Sequence, residues 1–158
     1  MTDNYIGIMI ESLRRKKDVL TDILKLSEEQ SLLLDDPNLE PDTFEKNVNR
    51  KAALIEKLEQ LDTGFESLYG KVKEELESNR DIHKEQIRQM QELIRALTEL
   101  NMQIQATEAR NKEKATAKFA YIRQQAKEIR SSQKIVKEYY NNMMHKAYNE
   151  PHFLDNKK

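Results

Sequence analysis

Cysteine and tryptophan are absent from the 158 residues, and glycine and proline occur only three times each. Without cysteine there is no disulfide and no thiolate metal site, and a reducing compartment is permitted. Three isolated glycines cannot build a phosphate-cradling loop. No apolar run approaches the roughly 18 residues that a membrane span requires. The first residues, Met1-Thr2-Asp3-Asn4, are acidic and lack the charged-then-apolar pattern of a leader, so a cytoplasmic protein is expected. Aromatic residues make up 6% of the chain, too few for a compact globular core. An elongated bundle with one buried stripe per helix can do with fewer.

What is present is charge and helix-forming side chains. Charged residues account for 35% and the hydrophobic set for 37%, the mixture used by long helices and coiled coils, in a length that suits one domain. Net charge is −1, but it is unevenly spread. Residues 1–104 hold 15 Lys+Arg against 22 Asp+Glu, and residues 105–158 hold 12 against 6. An acidic body with a basic arm is one reading. Two solvated faces of modest bias is the other, since Glu108, Glu113, Glu128 and Glu138 interrupt the basic stretch.

Two places stop helices firmly. Pro37 and Pro41 push their preceding residues out of helical geometry, and Pro151 closes the last helix ahead of a tail over 149–158. Helix 1 is predicted over about 3–34, with the stripe Ile6, Met9, Ile10, Leu13, Leu20, Ile23 and Leu24. Lys16 and Lys17 weaken its middle, where their stems can lie over apolar neighbours. Helix 2 is predicted over about 43–78, with Asp42 as N-cap and Glu45 completing a capping box. Its stripe is Phe44, Val48, Ala52, Ile55, Leu58, Leu61, Phe65, Leu68, Val72 and Leu76, running through Gly64 and Gly70. The polar cluster Ser78-Asn79-Arg80-Asp81 supplies the next turn, although no Gly or Pro marks it.

Helix 3 is then predicted over about 81–148 without a breaker. Its seam of Ile87, Met90, Ile94, Leu97, Leu100 and Ile104 fades between Gln105 and Lys118 to Ala106, Ala109, Ala115 and Ala117. It resumes as Phe119, Ile122, Ala126, Ile129, Val136, Tyr140, Met143 and Ala147. At about 1.5 Å per residue, helices 1 and 2 would span roughly 48 and 55 Å and helix 3 on the order of 100 Å. The expected fold is therefore an all-α, elongated antiparallel three-helix bundle or coiled coil with a long, protruding third helix. The stripe on residues 119–148 would face water unless something covered it. Three covers stand open: the helix folding back as core, a homodimer seam, or a groove-docking client helix. Phe119, Ile122, Ile129, Val136, Tyr139, Tyr140, Met143 and Met144 are the candidate client-binding residues, because Tyr anchors interfaces and Met re-packs readily.

Catalytic constellations are missing from the pattern. His83, His145 and His152 are far apart, none at metal-ligand spacing, and each is read as solvent-facing. The carboxylates fall where they pair with Lys or Arg along helix faces. No enzyme, no metal and no cofactor is expected. Lys and Arg from Arg110 to Lys137 spread around the helix rather than lining one strip, which argues against nucleic acid. Acidic residues dilute the polar face that a membrane-surface helix would need.

The stretch Leu54-Ile55-Glu56-Lys57-Leu58-Glu59-Gln60-Leu61-Asp62-Thr63-Gly64-Phe65-Glu66-Ser67-Leu68-Tyr69 resembles the second helix of the FlgN-like flagellar type III export chaperones. Leu100-Asn101-Met102-Gln103-Ile104-Gln105-Ala106-Thr107-Glu108-Ala109-Arg110-Asn111-Lys112 is similar to part of their third, and the stretch from Tyr139-Tyr140 to Lys158 to their C-terminal client-binding region. The resemblance implies a cytoplasmic chaperone that binds hook-associated (hook–filament junction) proteins, keeps them unassembled and delivers them to the flagellar export apparatus. Carried onto this chain, the client-binding region is residues 119–148. It departs from the family in reading as a firm continuation of helix 3, with no Gly-rich tail.

Overall fold

The structure, a computed structural model, describes residues 2–120, 130 and 133–142. Three long helices follow one another: α1 (Thr2–Asp35), α2 (Pro41–Ser78) and α3 (Lys84–Lys118). Residues 133–142 are also helical, as is residue 130, and are called α4. No strand is present among the described residues. The fold is an all-α bundle, as the periodicity predicts.

The turn between α1 and α2 is set by its prolines. Pro41 takes the first helical turn, where its fixed φ suits the helix and its missing N–H costs nothing. The N-cap is therefore Glu40, with no side-chain cap, and the predicted capping box of Asp42 and Glu45 does not form. At the other end α2 stops at Ser78, and Asn79 caps it by donating its backbone N–H to the Glu75 carbonyl. A turn over 79–83 follows, so α3 begins at Lys84, three residues beyond the predicted start.

α1 packs along both α2 and α3, whereas α2 and α3 barely approach one another. The partners of α1 run in opposite order along α2, with Lys16 against Asp62 and Gln30 against Lys51. They run in the same order along α3, with Ser27 against Asn111 and Asp35 against Lys114. Ile6, Met9, Ile10, Leu13, Val19, Leu20 and Ile23 of α1 form the spine of the core. Ile55, Leu58, Val72 and Leu76 of α2 and Ile87, Met90, Leu97 and Ile104 of α3 close over it. Each large aliphatic side chain so buried is worth about 1.5–3 kcal/mol. Lys16 falls in the weak middle of the α1 stripe and makes an ion pair with Asp62 at 2.6 Å.

The long third rod is corrected. α3 ends at Lys118, and Phe119 leaves helical geometry at φ −104° and ψ 18°. No glycine or proline forces this. What the turn gains is burial: the Phe119 ring packs 5.8 Å from Phe44, in a satellite core with Leu34, Val48 and Ala115. Lys118 adds a hydrogen bond from its ammonium to the Asp36 carbonyl, so α3 ends flush with the α1–α2 turn. With 34, 38 and 35 residues, the three helices span about 51, 57 and 52 Å. The length mismatch predicted from the sequence is gone.

Candidate functional site

Two features converge on the far half of the bundle: a buried polar layer and α4. The layer continues the seam of α3 where its apolar residues run out. Asn101, Thr107 and Asn111 are buried, while Ala106, Ala109 and Ala117, predicted to carry the faded seam, are exposed; only Ala115 is inside. Asn111 donates to the Ser27 carbonyl at 2.8 Å and to Gln30 Oε1 at 3.0 Å. Asn47 of α2 donates to the Leu26 carbonyl at 2.9 Å. At the centre lies Lys51, its side chain 1% exposed, donating to Gln30 Oε1 at 3.1 Å and to Glu108 Oε1 at 2.5 Å. Lys51, not the predicted Ala52, takes the buried place on α2; Ala52 is exposed. Burial holds the Lys51 ammonium below its ordinary pKa, against the opposing pull of Glu108.

α4 places one face on this layer. Val136, Tyr139 and Tyr140 share the main core cluster with the long helices, the tyrosines 8% and 3% exposed. These positions follow three- and four-residue spacing, so they form one stripe. The two rings meet edge to face at 5.6 Å. Asp62 and Glu59 of α2 act on Tyr139, and Glu108 of α3 acts on Tyr140. α4 thus lies over the line where α2 and α3 fail to meet. Burial first, and these negative charges second, push both phenols well above the ordinary tyrosine pKa. Both buried hydroxyls lack a hydrogen-bond partner among the described residues. The opposite side of α4 is exposed through Lys134, Ile135, Lys137 and Glu138, with Ile135 at 61%. Between α4 and the exposed face of α3 runs a cavity of about 700 Å³, with Ala109, Lys112, Thr116, Val136, Lys137 and Tyr140 among its walls.

The predicted site residues divide. Phe119, Val136, Tyr139 and Tyr140 are inside the chain's own core, so for these four the cover is the chain folding back on itself, and the protruding arm is corrected. Phe119 belongs to the satellite core and the other three to the main one. Ile122, Ile129, Met143 and Met144 lie outside the described residues. His83 is also corrected: it is buried and pairs through Nε2 with Glu75 Oε2 at 2.9 Å, clasping the α2–α3 turn. Its contact and a hydrogen bond from Asn79 hold the Glu75 carboxyl below its usual range. His145 and His152 lie outside the described residues. The sequence signal that was missed is the seam itself, carried by Ser27, Gln30, Lys51, Thr107 and Asn111 at helical spacing.

The family model described as FlgN protein matches residues 1–145, and the chain belongs to that family, the flagellar export chaperones. No curated protein and no solved structure matches the chain. Among the described residues, no helix is long and apolar enough to cross a membrane.

Proposed function

We propose that this chaperone works in the cytoplasm on hook-associated proteins, binding them through the region 119–148 and delivering them unassembled to the export apparatus. Family membership supports the class of client. The observation that carries the C-terminal site is α4. Its described residues are seated through Val136, Tyr139 and Tyr140, and Phe119 leaves helical geometry ahead of them. Most of the stability of an amphipathic helix comes from the surface its apolar face packs against, and α4 is no exception. It can therefore change partners at low cost, which is what holding and later releasing a client requires. Ile122, Ile129, Met143 and Met144 belong to the same region of the sequence.

The competing reading is a structural coiled coil that self-associates through 119–148. Covering Val136, Tyr139 and Tyr140 within one chain removes much of the seam that such a dimer would use. The test is binding of a purified hook–filament junction protein to the full chain and to a version truncated after Lys118. The full chain should bind more tightly. Equal affinity would remove the C-terminal site, and a stable dimer without client, seen by light scattering, would favour the coiled coil.

A further inference from the structure

Resting on the client reading above, we infer that the seat of α4 between α2 and α3 is itself a helix-docking surface, which α4 keeps covered and which an amphipathic client helix takes in its place. Three observations carry this. First, α2 and α3 barely approach one another, so the line between them is a groove that some other helix must fill. Second, the occupant shows what fits: an amphipathic helix presenting an aliphatic side chain and, three and four residues on, two large ones. Third, α4 fits its seat imperfectly. The Tyr139 and Tyr140 hydroxyls are buried without partners beside a wall carrying Glu59, Asp62 and Glu108. Buried hydroxyls that lose water and gain nothing penalise the closed state.

The wall also says what a better occupant would carry. Asp62 and Glu108 are engaged by Lys16 and Lys51, whereas the exposed Glu59 carboxylate forms no ion pair among the described residues. A client helix with a Lys or Arg flanking its apolar stripe gains a charge partner that α4 does not supply. Once displaced, the Val136 side chain and the two tyrosine rings of α4, but not their hydroxyls, close on the client's other side, so the full chain still binds more tightly than one that lacks α4. Client affinity is then lowered by whatever fraction of the chain is closed, and strengthening the closed state must weaken binding.

The test strengthens closure without removing apolar surface. In the full chain, Tyr139→Phe with Tyr140→Phe deletes the two hydroxyls and leaves both rings. Hydrogen exchange over 133–142, measured without client, should slow by about tenfold. Association with a purified hook–filament junction protein should slow by a similar factor, with dissociation unchanged. Slower exchange with unchanged association would overturn the inference while leaving the client reading intact. Faster dissociation alone would also overturn it, because the hydroxyls would then be touching the client directly. Unchanged exchange would remove the premise that they oppose closure. No binding by either form would end the client reading, and the inference with it.

Discussion

Lys51 of α2 reaches Glu108 of α3 at 2.5 Å, joining two helices that otherwise hardly meet. The Lys51 side chain is 1% exposed and that of Glu108 14%, so neither charge can turn to bulk water if the other is lost. Lys51→Ala is expected to cost about 3 kcal/mol in urea unfolding, since a stranded buried charge costs more than the pair is worth. Lys51→Met combined with Glu108→Leu should recover most of that loss. A single variant within about 0.5 kcal/mol of the parent would show that water reaches Glu108 freely.

Phe119 was a candidate client contact, and the structure makes it a core residue. Its ring meets Phe44 at 5.8 Å and an interplanar angle of 59°, closing the satellite core where α1 and α3 end. Phe119→Ala should destabilise the whole bundle by about 3–4 kcal/mol. Circular dichroism during thermal unfolding checks this. A stability equal to the parent's, with client binding lost, would return Phe119 to the list of surface contacts.

The bundle was legible because its helices obey one spacing and its prolines fall between elements. The apolar stripes of α1 and α2 place Ile6, Met9, Leu13, Leu20, Ile55, Leu58 and Leu76 inside, and the structure buries them. The candidate site was harder for a physical reason. The spacing that runs through Phe44, Val48, Ile55 and Leu58 also passes through Lys51, but a lysine reads as solvated until its partners are known. Gln30 and Glu108, which make its burial tolerable, stand 21 and 57 residues away. The end of α3 was illegible for a related reason. Phe119 turns out of the helix for a ring 75 positions earlier, and local sequence carries no trace of that. With no breaker visible, the stripe beyond Phe119 read as a continuing rod, and α4 was not separated from α3.

Gly64 and Gly70 lie inside α2, which runs unbroken from Pro41 to Ser78. Neither has a positive φ, and a Cβ added at either would meet nothing within 4 Å. No packing reason for glycine is visible at either position. Gly64→Ala and Gly70→Ala should each raise stability by about 0.5–1 kcal/mol, by lowering the chain entropy lost on folding. Urea midpoints of the two variants check it. If either alanine lowers the midpoint, the added methyl is not accommodated at that position.

The phenols of Tyr139 and Tyr140 give the closed state of α4 a defined response to alkali. Docked, both are held above the ordinary pKa of 10.0, by burial and then by Asp62 and Glu59 on one side and Glu108 on the other. Released into water, each would ionise near its ordinary value. A group whose docked pKa is raised contributes stability that is fully present below its free pKa and is lost as pH climbs beyond it. α4 should therefore stay seated up to about pH 10 and come away above it, well before either tyrosine could ionise in place. Lys51 has the opposite sign: its depressed pKa means that rising pH favours the folded form as the freed lysine gives up its proton. A net release of α4 above pH 10 can accordingly be assigned to the tyrosines. Ultraviolet tyrosinate absorbance should show a cooperative step that accompanies a change in near-ultraviolet circular dichroism. The Tyr139→Phe and Tyr140→Phe double variant should lose that step while keeping the titration of the other four tyrosines. Ionisation without a cooperative step, the same in the parent and the double variant apart from two fewer phenols and with no change in ring asymmetry, would mean that α4 is not seated in solution.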